Sequence, residues 1–122
     1  MLSQWVGVGA VLGFLTVALG AFGAHGLRGR IPEERMAVYQ TAVQYQMMHA
    51  LALGWVGVLA SSDPRLVWSW AGWLFVVGMV LFSGSLYALA LTGRRRLGVV
   101  TPFGGVAFLA GWAAVAWGIW HR

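Results

Sequence analysis

The sequence predicts an all-α fold: a four-transmembrane-helix bundle of up-down topology. Three observations carry this reading. Of 122 residues, 60% are hydrophobic and only 9% are charged, whereas a soluble domain is roughly 25% charged. A surface with so few charges would leave large apolar patches in water. Four apolar runs, Trp5 to Ala24, Ala42 to Ala60, Leu66 to Leu91 and Phe103 to Trp120, hold no Asp, Glu, Lys or Arg. Each is long enough to cross ~30 Å of hydrocarbon as a helix. The runs also lack the alternating polarity of barrel strands, which leaves helices to satisfy the backbone in lipid.

The punctuation sets the elements, in one integral membrane domain over residues 1–122, with helices at about 4–25, 33–60, 64–92 and 102–121. The first run lacks a positive leading segment and is longer than a signal peptide's apolar core, so it reads as a retained helix. Pro32 precedes Glu33 and Glu34, carboxylates suited to the positive end of a helix dipole. The second helix therefore starts near residue 33. It is ~42 Å long at 1.5 Å per residue, and its first turns extend beyond the bilayer on the cytoplasmic side. Asp63 reads as an N-cap with Pro64 at the first helical position, and Thr101-Pro102 opens the fourth helix in the same way. Gly93 ends the third helix in a left-handed cap.

All eight basic residues are arginine, giving a net charge of +5. Arg28, Arg30, Arg35, Arg94, Arg95 and Arg96 fall in the first and third loops; Arg65 and Arg122 fall on the other side. The positive-inside rule places loops 26–35 and 93–101 in the cytoplasm and both termini outside. Short arginine clusters beside apolar spans are topology signals that meet anionic lipid headgroups, so the charge does not point to nucleic acid. There is no cysteine, hence no disulfide framework and no thiolate metal site. Trp5, Trp68, Trp70, Trp117 and Trp120 fall toward the outer side, as an aromatic belt would.

Eighteen glycines supply small faces for close helix approach. Gly9 and Gly13 form a GxxxG pair; Gly13 and Gly20 are seven apart, as are Gly104, Gly111 and Gly118. Packing within one bundle is the favoured role, with a seam to a second copy or another membrane protein as the alternative.

Polar side chains inside a membrane are costly, which makes the stretch AVQYQMMHALAL, Ala42 to Leu53, the candidate site. At 100° per residue, Ala42, Tyr45, Gln46, His49 and Leu53 share a third of the helix circumference. Gln40 and Gln44 lie opposite. With His25 at the end of the first helix, and Ser83, Ser85 and Tyr87 on the third, the polar atoms are expected to gather in the cytoplasmic half. The bland role is hydrogen-bonded glue between helices, at about 1 kcal/mol or less per bond. The sharper role is a site, since His titrates near neutrality and binds metal or haem. No acidic ligand lies inside the spans and His121 is at the far end, so no zinc site is expected.

The stretches GAFGAHGLR, AVQYQMMHALAL, FSGSLYALALTG and TPFGGVAFLAGW, in this order, resemble the signature stretches of the domain of unknown function 423 family, also called uncharacterised protein family 0382. A related small mitochondrial-type transmembrane protein occurs in animals. The resemblance covers Trp5 to Trp120. It implies a four-helix protein of the bacterial inner membrane and no activity. It also implies that His25, Gln44, Tyr45, Gln46, His49, Ser83, Gly84, Ser85, Tyr87, Thr101, Pro102, Gly104 and Gly105 belong to its motifs.

Function is then read from the cluster alone. The favoured reading is a non-enzymatic bundle that binds a partner or lipid, or forms an oligomer. The alternatives are a proton or small-solute conduit or sensor lined by the His/Tyr/Gln cluster, or a haem or quinone protein using His25 and His49. No nucleophile–base pair, phosphate loop or buried carboxylate pair supports an enzyme. The glycines of GAFGAHG follow an apolar helix rather than a strand, so they make no nucleotide motif.

Overall fold

The structure is a computed structural model and describes residues 3–122. Its regular elements are helical. Helix α1 (Gln4–Phe22) runs on through a π-helical turn at Gly23–Leu27. Helix α2 spans Glu33–Ser61. Helices α3 (Val67–Gly78) and α4 (Gly84–Thr92) form one rod, joined by a second π-helical turn at Met79–Ser83. A 3-10 turn, Arg95–Val99, leads into α5 (Thr101–Trp120).

Three stretches are long and apolar enough to cross a membrane: Gln4–Leu27, Val67–Thr92 and Arg95–Trp120. Helix α2 has the length, at 29 residues, but is not among the three. The glutamines, Tyr45 and His49 within it dilute its apolar character.

Packing partners run antiparallel from rod to rod. Across the α1–α2 seam, Gly9 meets Ala50 and Gly54, Gly20 meets Val43, and Gly23 meets Tyr39. From α2 to the α3–α4 rod, His49 meets Phe75, Ser83 bonds to Ala42, and Tyr87 meets Tyr39. Between that rod and α5, Gly104, Gly111 and Gly118 receive Phe82, Phe75 and Trp68. Both series step by seven residues along a coiled-coil-like seam: the Phe75 and Trp68 rings seat at Gly111 and Gly118, and the Phe82 backbone comes close at Gly104. Gly9 is equally tight, since a Cβ there would stand 2.7 Å from the Ala50 carbonyl oxygen. At Gly20 an added Cβ would make only ordinary contact, 3.5 Å from Val43. Gly13 is a correction: nothing lies within 4 Å of where its Cβ would be, so no neighbouring side chain or backbone seats against it. Gly57, Gly72 and Gly78, which no motif flagged, receive Val6, Trp5 and Phe108.

Further differences from the sequence reading have physical causes. The first turns of α2 do not stand free: Met36 and Tyr39 are buried with Leu27 and Ala90. Trp68 is 1% exposed and belongs to the core, because it fills the notch at Gly118; Trp70, Trp117 and Trp120 remain exposed. Helix α3 begins at Val67 rather than at residue 64, because Asp63 does not cap it. Its carboxylate instead pairs with Arg65 at 2.8 Å. The Arg65 guanidinium in turn donates to the Gly118 carbonyl at 2.6 Å and the His121 carbonyl at 3.1 Å. Arginine thus satisfies the free carbonyls at the C-terminus of α5 and complements its dipole. Pro32 before Glu33 and the left-handed Gly93 (φ 72°) stand where expected.

Arg65 holds the Asp63 carboxyl well below the usual carboxylate range, chiefly through their hydrogen bonds. A carboxyl with a folded pKa below its unfolded value stabilises above about pH 4 and loses that contribution as pH falls toward the folded value. We expect the wild type to lose thermal stability below about pH 4 and Asp63→Asn to lose less over that range. Melting scans from pH 7 to pH 2.5 check this.

Candidate functional site

Helix α2 lies between α1 and the α3–α4 rod, so its polar side chains reach both neighbours. Gln46, 6% exposed, spans the gap. Its Nε2 donates to the Leu12 carbonyl of α1 at 3.3 Å, and its Oε1 accepts from the Tyr87 hydroxyl of α4 at 2.6 Å. Thr16 shares the Leu12 carbonyl, donating at 2.6 Å. Tyr39 donates to the Leu19 carbonyl and meets Tyr87 edge-on at 5.2 Å. Ser83 donates to the Ala42 carbonyl at 2.9 Å. Ser85 donates to the Phe82 carbonyl at 3.0 Å, so at 2.6 Å its oxygen accepts from Thr101 at the start of α5. One amide, three tyrosine or threonine hydroxyls and two serines therefore stitch all four rods together.

His49 sits deeper, past the midpoint of α2 and 1% exposed. Its ring stacks on Phe108 of α5 at 3.6 Å and 8°, with Phe75 tilted against it at 5.3 Å. Nδ1 lies 2.8 Å from the Tyr45 carbonyl, one turn back. A carbonyl only accepts, so Nδ1 carries the proton. Nε2 then presents its lone pair, which accepts from the Trp112 indole N–H at 3.0 Å. Both nitrogens are engaged in one neutral tautomer. Tyr45 is half-buried, with its ring against Phe82 at 4.6 Å.

The structure brings together Tyr45, Gln46, His49, Ser83, Ser85 and Tyr87. His25 stands apart, exposed on the π-helical turn that ends α1. The α1–α2 register sets it level with about residue 37, so roughly a dozen residues, ~18 Å of helix, separate it from His49. The expected gathering of both histidines in one half of the bundle is therefore corrected. So is the pairing of His25 and His49 on one iron, which this geometry does not permit. Among the described residues no three His, Asp or Glu side chains cluster as metal ligands. Sequence reasoning missed Tyr39, Thr16, Phe108 and Trp112. Tyr39 had a signal, since it is two helical turns before Gln46 on the same face; the α5 aromatics had none beyond their place in an apolar run.

Residues 19–105 match the family described as "Protein of unknown function (DUF423)". The chain belongs to the DUF423 family. Its similarity extends to named membrane proteins of that kind. A UPF0382 membrane protein of Staphylococcus haemolyticus is 50% identical over 105 residues, covering 86% of this chain and 85% of that protein. One from Bacillus subtilis is 50% identical over 109 residues, covering 88% and 89%. One from Staphylococcus aureus is 48% identical over 105 residues, covering 86% and 85%. No solved structure matches the chain. This DUF423 chain is thus a helical membrane protein of an uncharacterised bacterial family, and its site must be interpreted from its own geometry.

Proposed function

We propose that the protein is a non-enzymatic four-span bundle of the bacterial plasma membrane that assembles with a second copy of itself through α2. The arginine-rich loops face the cytoplasm and both termini face outward, by the charge asymmetry.

The observation that carries this reading is the division of polar groups on α2. On its inner face Tyr39, Gln46 and His49 are each hydrogen-bonded to a neighbouring helix. Those left over, Gln40 and Gln44, are exposed on one stripe with Met48, Leu51, Trp55 and Val58, which are 49%, 68%, 67% and 55% exposed. The stripe steps by three and four residues, the spacing of a helix-pairing seam. An unpaired amide facing acyl chains is costly, and an amide is its own best partner in lipid because it both donates and accepts. A two-fold pair of α2 helices supplies that partner. A conduit through one bundle has less support, because aromatic rings pack around His49 and its nitrogens are engaged.

The natural chain has no cysteine, so disulfide trapping is clean. Met48→Cys in native membranes should give a covalent dimer on mild oxidation, whereas Val11→Cys, exposed on α1, should not. Adding Gln44→Leu should reduce the Met48→Cys dimer several-fold. Equal trapping at both positions, or none at Met48→Cys, would overturn the reading.

A further inference from the structure

At the arginine-rich end of the bundle the structure leaves a charge imbalance. Six arginines, Arg28, Arg30, Arg35, Arg94, Arg95 and Arg96, share that end with two carboxylates, Glu33 and Glu34. Among the described residues the one salt bridge joins Arg65 to Asp63 at the opposite end. None of the six is paired with an acid.

Arg35 is the unusual member. It stands in the first turn of α2 and is half-buried, and its Nε is buried with no hydrogen-bond partner. A buried guanidinium N–H without an acceptor is costly and calls for an explanation. The side chain is seated by Gly93, the left-handed glycine that ends α4. A Cβ at Gly93 would run into the Arg35 Nη1, so the missing side chain makes room for the guanidinium as well as permitting the turn. Arg35 and Arg95 together line a cavity of about 470 Å³ between the start of α2 and the end of α4. Glu34 also lines it, leaving one net positive charge, and Val38 and Leu89 supply its apolar side chains.

We propose that this cavity binds the phosphate of one anionic phospholipid, held between Arg35 and Arg95, with an acyl chain laid against Val38 and Leu89. Three features select that occupant. A guanidinium offers a planar fork of donors that matches phosphate oxygens. Basic pockets between helices at the positively charged end of a membrane protein are where anionic headgroups bind. The wall is apolar, which suits a lipid and is of no use to a free anion. The bound phosphate supplies the acceptor that Arg35 lacks. This inference is independent of the pairing of α2 helices, because the cavity opens on the face of α2 opposite Gln44.

The test uses the full chain, purified in a neutral detergent, with phosphatidylglycerol, phosphatidylcholine or inorganic phosphate added. Phosphatidylglycerol should raise the melting temperature by several degrees, and native mass spectrometry should retain one such lipid per chain. Arg35→Gln and Arg95→Gln should each weaken this binding about tenfold or more, while Arg28→Gln, outside the cavity, should leave it unchanged. An equal rise with phosphatidylcholine would mean lipid solvation alone and would overturn the proposal. An equal rise with inorganic phosphate would make the site one for a free anion and overturn it too. So would binding that survives both Arg35→Gln and Arg95→Gln; should Arg35→Gln fail to fold, Arg95→Gln with the lipid count decides.

Discussion

His49→Ala should lower the thermal stability of the detergent-solubilised protein more than any other change to the polar cluster, by the equivalent of about 2–5 kcal/mol. Two losses combine. The ring stacked on Phe108 at 3.6 Å leaves a void among Phe75, Phe108 and Trp112, and voids cost packing in lipid as in water. The Trp112 indole N–H also loses the nitrogen that accepts it at 3.0 Å, and a donor left unpaired away from water costs about 1–3 kcal/mol. His49→Phe separates the terms, since it fills the space without restoring the acceptor. It should recover part of the loss, and Trp112→Phe in that background should recover more by removing the orphan. Thermal unfolding of the four proteins measures this. If His49→Ala melts with the wild type, His49 does not hold α2 to α5.

Alanine at Gly9 should destabilise by about 1–3 kcal/mol, whereas alanine at Gly13 should be neutral or stabilising by up to about 1 kcal/mol through helix propensity. The two residues form one GxxxG pair, so sequence alone treats them alike. A Cβ on Gly9 would stand 2.7 Å from the Ala50 carbonyl oxygen and 3.0 Å from the Gly54 nitrogen. These are backbone atoms that cannot turn aside, so the added methyl must push α1 off α2. Gly13 faces open space. Gly104→Ala should behave like Gly9→Ala, because it meets the Phe82 backbone. Melting temperatures of the three variants test the seam directly. Equal effects at Gly9 and Gly13 would show that the α1–α2 contact differs from the one described.

How much of this was legible follows from what each signal depends on. Helix existence depends on run length and Pro/Gly punctuation, which are local, so four helical rods could be read directly. The inner face of α2 was legible for the same reason: Ala42, Gln46, His49 and Leu53 share one side of a single helix, and all are buried. What lay across from that face was not legible. Nothing in the sequence says that Trp112, rather than Ser83, meets His49, because that depends on how far α5 slides along its neighbours. The depth of His25 relative to His49 depends on the α1–α2 register, which Gly20–Val43 and Gly23–Tyr39 fix only in three dimensions. Asp63 was misread because its carboxylate accepts from the backbone N–H and guanidinium of Arg65, whose other contacts, to the Gly118 and His121 carbonyls, lie far off in sequence.

Helix α2 is the least apolar of the four rods, yet its buried polar groups Tyr39, Gln46 and His49 are hydrogen-bonded within the protein. Unmet, those groups would oppose insertion; met by Leu12, Tyr87 and Trp112 of other helices and by the Tyr45 carbonyl one turn back, they support the proposal that α2 crosses as a fourth span. Single-cysteine labelling measures this on a chain with no cysteine of its own. Arg30→Cys, before α2, and Ser62→Cys, after α2, are both at exposed positions. With a membrane-impermeant maleimide on intact cells, Ser62→Cys should label and Arg30→Cys should label only after the membrane is opened. Labelling of both from the same side would mean that α2 does not cross, and the account would fail with it.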